Sequence, residues 1–277
     1  METKVKNYIV SKLKEYSKIP SVTGNETEFL EYLEKDFNGN KSQSWRFVKL
    51  DFQFSYKLLY NKESRYPYVF TVHTDRVCDY RENKPFESEI RSIGNKTVKG
   101  QLDNIISIAI LRYLHSLGYS MNVLFTTREE ICRSYEQIQE VMILYGFIPV
   151  SLDIDPVKDE LFRGSDHITI REESFNFSYD PDTVALFQKI AIENNIPFSN
   201  KDGFSHDEIY HLMRATQSVY KGAHLGLPLK NYHTNDEEIN WSSIFYMIEF
   251  LKALLTKETD NLLLIENNNE VTLQERS

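Results

Sequence analysis

Short apolar runs with the character of buried strands alternate with segments of helical period along most of the chain, and no other feature constrains the fold as much. Val5, Tyr8, Ile9, Leu13 and Tyr16 recur at helical spacing. Asn25 with Glu28 has the capping-box pattern and precedes a second helix over Phe29–Leu33. Residues 44–60 read as extended, and Pro67–Val72 as a strand running into His73. Residues 86–98 are strand-like and charged, which suits a sheet edge. Leu102–Leu117 is the strongest helix and Met121–Thr127 a buried strand. Ser134 with Gln137 is another capping box, opening a helix through Tyr145, and Phe147–Leu152 is a strand ending at Asp153. Residues 167–178 look like strand, and 182–194, 207–214 and 238–256 like helices, with a short strand at Gln217–Tyr220. This order predicts an α/β fold: three layers, α/β/α, around a central mixed, largely parallel sheet. One catalytic domain over 1–277 is the economical organisation, with a polar, loosely held tail at 258–277.

The net charge of −9 disfavours non-specific binding to nucleic acid or to an anionic membrane, both of which need a cationic surface. No apolar run approaches the roughly 18 residues that span a bilayer. The N-terminus lacks the apolar core of a signal peptide. Cys78 and Cys132 make no disulfide framework and fit a reducing, cytoplasmic setting.

Ligands bind at the carboxyl ends of strands in sheets of this kind. Those ends carry a series of polar residues: His73-Thr-Asp75, then Asp103-Asn104 before the strongest helix, Glu129-Glu130, Asp153-Ile-Asp155, and Tyr232-His233 after the loop Leu225–Asn231. Two histidines and several carboxylates suit a pair of borderline divalent ions. A carboxylate can bridge two such ions, each completed by an imidazole and a further carboxylate, with one acid spare as a base. Asp153 and Asp155 share one face of an extended segment, so periodicity does not choose between them.

This ordered series resembles the superfamily of co-catalytic zinc exopeptidases and amidohydrolases, which includes leucyl and glutamyl-type aminopeptidases, carboxypeptidases and deacylases. The resemblance spans about residues 67–245. It implies one ion held by His73, Asp103 and Asp153, and a second by Asp103, Glu130 and His233. It favours Asp153 over Asp155, makes Asp75 the carboxylate that orients His73, and makes Glu129 the general base. It implies two zinc ions, with cobalt or manganese as alternatives, and hydrolysis of short peptides as an aminopeptidase. A deacylase or carboxypeptidase on N-acyl amino acids or peptides is the alternative on the same site. Further rivals are a single-zinc, cyclase-like enzyme and a binding protein that keeps the fold without catalysis. The stretch Phe204-Ser-His206-Asp207 resembles a segment near the site in some relatives, which offers His206 and Asp207 as substrate-binding candidates; helix capping is the other reading of Asp207. His115, His167, His211 and His224 read as structural or surface residues. Ile131–Glu136 replaces the Gly-rich stretch common after the Glu pair. Only 27 residues separate Asp75 from Asp103, and 79 separate Asp153 from His233, too few for an inserted lid or dimerisation domain. The homo-oligomeric state stays open.

Overall fold

A computed structural model describes residues 2–38, 45–51, 55–61, 66–79, 84–85, 88–158, 162, 165–200 and 205–256. The expected tail at 258–277 and Phe204 lie outside the described residues. Helices α1 (Glu2–Tyr16) and α2 (Thr27–Asn38) come first. Strands β1 (Trp45–Asp51), β2 (Ser55–Asn61) and β3 (Tyr68–His73) follow, then the short pair β4 (Cys78–Asp79) and β5 (Lys84–Pro85), β6 (Arg91–Ile93) and β7 (Thr97–Gly100). Next are α3 (Ile105–Ser116), β8 (Val123–Thr126), a 3-10 turn at Glu129–Ile131, α4 (Tyr135–Tyr145) and β9 (Ile148–Pro156). The chain continues with β10 (Ile168–Ile170), β11 (Glu173–Ser174), β12 (Phe177–Ser178), α5 (Pro181–Glu193), β13 (Phe198–Ser199), α6 (Glu208–Ala215), β14 (Ala223–Lys230), β15 (Glu237–Asn240) and α7 (241–256).

The main sheet runs β1-β2-β8-β3-β9-β14-β15-β7-β6, with β10 and β13 beside β14. Its centre, β8-β3-β9-β14, is parallel. Antiparallel strands extend it on both sides, and β6 sits at one end, as its charge suggests. From β3 the chain crosses by α3 to β8, then returns past β3 by α4 to β9. Both crossovers are right-handed only if α3 and α4 lie on opposite faces. Helix α1 packs on α3, and α6 packs on α4, so each face carries a helical layer. The reversal around β3 leaves a crevice at the carboxyl ends of β8, β3 and β9, where such sheets bind ligands.

The core follows from the sequence pattern. Helix α3 buries Ile105, Ile106, Ile108, Ala109, Ile110, Leu111 and Leu114, because it is covered by the sheet on one side and α1 on another. Strands β3 and β8 are buried throughout, as expected of central parallel strands. No helix among the described residues is long and apolar enough to cross a membrane.

Several local expectations give way to tertiary context. Leu225–Asn231 is largely central strand β14, not a loop. A side chain at its Gly226 would collide with the Asp155 carboxylate, so the sheet requires glycine at that point. Gln217–Tyr220 is a turn, with positive φ at Gln217 and Ser218, not a strand. Glu238–Asn240 belong to β15, and the last helix starts at 241. Ser134 makes no side-chain cap bond. Gln137 instead reaches back to the end of β8, accepting from Thr127 N at 3.0 Å and donating to Thr127 O at 3.0 Å. Glu28 likewise lies inside the first turn of α2, and the carboxylate that organises the preceding turn is Glu26, which accepts Gly24 N at 2.8 Å.

Candidate metal centre

His73 closes β3 and is 2% exposed. Its Nδ1 lies 3.0 Å from the Asp75 carbonyl oxygen, which can only accept, so Nδ1 carries the proton and Nε2 is left as a donor atom for a metal. Nε2 lies 3.0 Å from Asp103 Oδ1 and 3.5 Å from Asp153 Oδ1. The second oxygen of Asp103, Oδ2, lies 3.5 Å from His233 Nε2, which is 3.3 Å from Glu130 Oε2. One carboxylate thus stands between two imidazoles. The candidate ligand atoms of His73, Asp103 and Asp153 lie within 4.8 Å of one another, as do those of Asp103, Glu130 and His233, and those of His73, Glu129 and Glu130.

Five elements deliver these groups, Glu129 and Glu130 coming from the 3-10 turn after β8. The β3–β9 register pairs Thr71 with Ser151, and two residues further on the strands supply His73 and Asp153. Asp153 is therefore inside β9 rather than after it. Asp103 lies in the turn between β7 and α3, and its peptide bond to Asn104 is cis. Asn104 Nδ2 donates to Leu152 O at 2.8 Å, which ties that turn to β9. His233 lies in the β14–β15 turn with φ of 59°, not at a helix start. Asp155 leaves the cluster: its carboxylate pairs with Arg171 and lies 3.2 Å from His224 Nε2.

Asp75 sits differently from the sequence expectation. Its carboxylate is 3.7 Å from His73 Nδ1, and the close contact to that ring is the main-chain carbonyl. The carboxylate accepts the N–H groups of Glu129 at 3.0 Å and Glu130 at 3.1 Å, and the Thr23 hydroxyl at 3.0 Å. It therefore holds the acidic turn in place. Glu26 helps from outside, accepting Arg128 N at 3.2 Å where the backbone has a φ of 61°.

The electrostatics follow from this crowding. Burial opposes a charged His73, yet Asp103 and Asp153 hold its imidazole well above the ordinary value. Burial pushes Asp103 up, but His73 and His233 outweigh it and hold the carboxyl below the usual range. Burial and the neighbouring carboxylates push Glu129 and Glu130 well up. Among the described residues no Lys or Arg is ion-paired with Asp103, Asp153, Glu129 or Glu130. Glu130 Oε1 and His233 Nε2 are buried without a hydrogen-bond partner. Four buried carboxylates crowd two imidazoles with no Lys or Arg among the described residues ion-paired to them, an excess of acidic groups that a divalent cation would neutralise, so the residues fit a metal ion.

The other two candidates lie elsewhere in the fold. Asp207 caps α6, accepting from Ile209 N at 2.8 Å and Tyr210 N at 3.2 Å, and it pairs with Tyr179 and Arg171. His206 stacks on Phe175 with ring centroids 4.1 Å apart. Neither joins the His–carboxylate groups. His224 and His115 are fully buried and structural in place.

Sequence reading passed over three residues at the centre. Tyr232 stacks on His233 at 3.6 Å, and burial with Asp103, Glu130, Glu129 and Asp153 around it keeps its phenol protonated. Glu208 is buried and bonds to Thr126; burial raises its carboxyl to about 7. Glu237 accepts three backbone N–H groups, from Leu102, Asp103 and His233; burial and Asp103 push it to about 8 while those N–H groups draw it down. Tyr232 and Glu237 flank His233 in sequence, but no period or motif marks them.

No protein-family profile and no curated sequence matches the chain. Solved structures do. A TET1 peptidase of Pyrococcus horikoshii aligns over 89% of this chain and 99% of its own, at 13% identity and a TM-score of 0.70. An aminopeptidase of the archaeon Desulfurococcus kamchatkensis aligns over 90% and 94%, at 11% identity and 0.72. The aminopeptidase PepT of Bacillus cereus aligns over 91% and 98%, at 11% and 0.64. The chain has the three-layer α/β/α fold of the TET- and PepT-type aminopeptidases.

Proposed function

We propose that the chain is a metal-dependent peptidase, an aminopeptidase acting on short peptides through two divalent ions. The observation that carries this is Asp103, whose two oxygens face His73 and His233 from opposite sides. The named activities of the fold's neighbours support the same reading. His73, Asp103 and Asp153 would hold one ion, and Asp103, Glu130 and His233 the other. Zinc suits the mixed imidazole and carboxylate set, and cobalt or manganese could replace it.

When bound, the ions supply Lewis acidity for the scissile carbonyl and lower the pKa of the attacking water. The protein's own groups do the rest. Glu129 takes the water's proton and returns it to the leaving amine, as a buried carboxylate beside the His–carboxylate cluster can do. Asp75 fixes the backbone of Glu129 and Glu130, so base and ligand are aimed independently. Tyr232 offers a neutral donor beside the acids, suited to oxygen charge that grows in the transition state.

We further propose one catalytic domain acting in the cytoplasm. The Pyrococcus TET1 peptidase can assemble into a tetrahedron or an octahedral shell, and a homo-oligomer is proposed here too. The primary test is metal content after zinc loading and removal of free ion. The wild type is expected to hold two equivalents and Asp103→Ala none. A panel of unblocked, N-acylated and C-amidated dipeptides then reads the substrate class. Cleavage only of unblocked N-termini supports the aminopeptidase, and cleavage only of N-acyl substrates would replace it with a deacylase.

A further inference from the structure

We infer that Glu237 is a positioning residue that clamps the Asp103 turn to the His233 turn and so sets the His233 half of the metal centre. The inference rests on the two-ion reading above and adds a residue to it.

Glu237 begins β15, opposite Gly100 at the end of β7, and is 1% exposed. Its two oxygens serve two different turns. Oε2 accepts Leu102 N at 2.6 Å and Asp103 N at 3.0 Å, in the turn that leads into α3. Oε1 accepts His233 N at 3.0 Å, in the turn between β14 and β15. Those turns lie about 130 residues apart in sequence, and one carboxylate sets the spacing between their main chains. An acidic side chain suits the position because it gives each turn its own acceptor oxygen, and the three groups that bond to it are main-chain N–H donors.

The His233 turn has reason to drift without this bond. Asn231 and His233 both have positive φ, 58° and 59°, a left-handed conformation that residues with side chains adopt at a cost. Two of the turn's other bonds are internal, Asn231 Nδ2 to Asp236 O at 2.9 Å and Asp236 N to Thr234 Oγ1 at 3.2 Å, and two tie its far side to the β6 edge, Ser88 Oγ to Asn235 O at 3.0 Å and Arg91 Nη2 to Asp236 Oδ1 at 3.0 Å. Ser88 Oγ also accepts Gln101 N at 2.6 Å, but none of these bonds holds the main chain of His233 or of Asp103 itself. The first half of the centre is anchored independently. His73 is held by the Asp75 carbonyl, Asp153 by Ile154 N at 2.8 Å, and the residue after Asp103 by Leu152 O. Loss of the clamp should therefore fall on the ion that needs His233.

Glutamine at 237 keeps the volume but has one acceptor oxygen, and its NH2 faces donors. Aspartate keeps the charge but is one methylene shorter and cannot reach both turns. The test titrates metal-free wild type, Glu237→Gln, Glu237→Asp and a neighbour control, Glu238→Gln, with zinc by calorimetry. A parallel titration with cobalt reads the visible absorption of each equivalent. Both Glu237 variants should bind the first equivalent as the wild type does. The second should bind 10–100-fold more weakly, in the range seen when groups that orient metal ligands are removed. Its cobalt band should change, and peptidase kcat should recover at high zinc. Glu238→Gln should match the wild type. Near-UV circular dichroism of the metal-free proteins separates this from unfolding, and if Glu237→Gln is unfolded, Glu237→Asp alone decides. Two wild-type-like equivalents in a folded Glu237 variant, or equal loss of both, would overturn the inference. Fewer than two equivalents in the wild type would overturn the two-ion reading, and this inference with it.

Discussion

Replacing Asp207 with alanine should unsettle the fold while leaving the candidate metal centre intact. Asp207 is buried, and its carboxylate does three things at once. It caps α6 through two N–H groups, and loss of such a cap costs about 1 kcal/mol. It pairs with Arg171, whose Nη1 is 3.4 Å away. Breaking a buried pair costs 3–5 kcal/mol, but Arg171 keeps Asp155, so the low end, about 3 kcal/mol, applies. It also accepts from Tyr179, and an orphaned buried hydroxyl costs about 1 kcal/mol. Contributions that share one carboxylate do not add fully, so the net is about 4 kcal/mol. At roughly 2–4 °C per kcal/mol for a chain approaching this size, the melting temperature should fall by roughly 8–16 °C. Asp207→Asn keeps an oxygen for the cap and should lose about half of that. Differential scanning calorimetry reads the shift, with zinc stoichiometry and KM for a dipeptide measured below the transition. Both latter quantities should stay at wild-type values. A melting temperature within about 2 °C of wild type, together with a KM raised about tenfold, would show that Asp207 faces substrate and that the reasoning is wrong.

Two further outcomes follow from the same geometry. Glu129→Gln should retain both metal equivalents and lose about 10²–10⁴ in kcat, the range for removing a general base, and a rate near wild type would refute its role. His224 is buried beside Arg171, and burial first, then that cation, depress its imidazole to about 4. The unfolded chain, with a pKa near 6.5, then binds the proton more readily than the native one. The stability from keeping His224 neutral is complete above about pH 6.5 and is lost progressively down to about pH 4, about 3 kcal/mol in all. Urea midpoints measured from pH 7 to pH 4.5 should fall in the wild type and fall less in His224→Gln; parallel slopes would contradict the assignment.

The alternation of apolar runs and helical periods was enough to give the layered α/β architecture, because burial on both faces forces continuous apolar strands such as β3 and β8. Where local signals conflicted with neighbours, the neighbours prevailed. Gly226 and Pro228 speak against a strand, but β14 is paired along its length with β9 and closely approached by Asp155. The Ser134–Gln137 pattern is a capping box by sequence, yet Gln137 finds a better use holding Thr127 at the mouth of the crevice.

The same division runs through the metal centre. The chain by itself placed His73, Asp103, Glu129 and Glu130 at readable element boundaries, whereas Asp153 lies inside β9 and the turn carrying His233 follows a strand, β14, that reads as a loop. The chain's period of two could not choose Asp153 over Asp155, which share one face, and only the family resemblance favoured Asp153. The tertiary structure sets their surroundings: Asp153 stands level with His73, while Arg171 and His224 pair with Asp155. Nor could the sequence show what Asp75, Tyr232 and Glu237 do. Their roles depend on main-chain groups and rings brought in from distant turns, and contacts of that kind leave no period or spacing in the sequence.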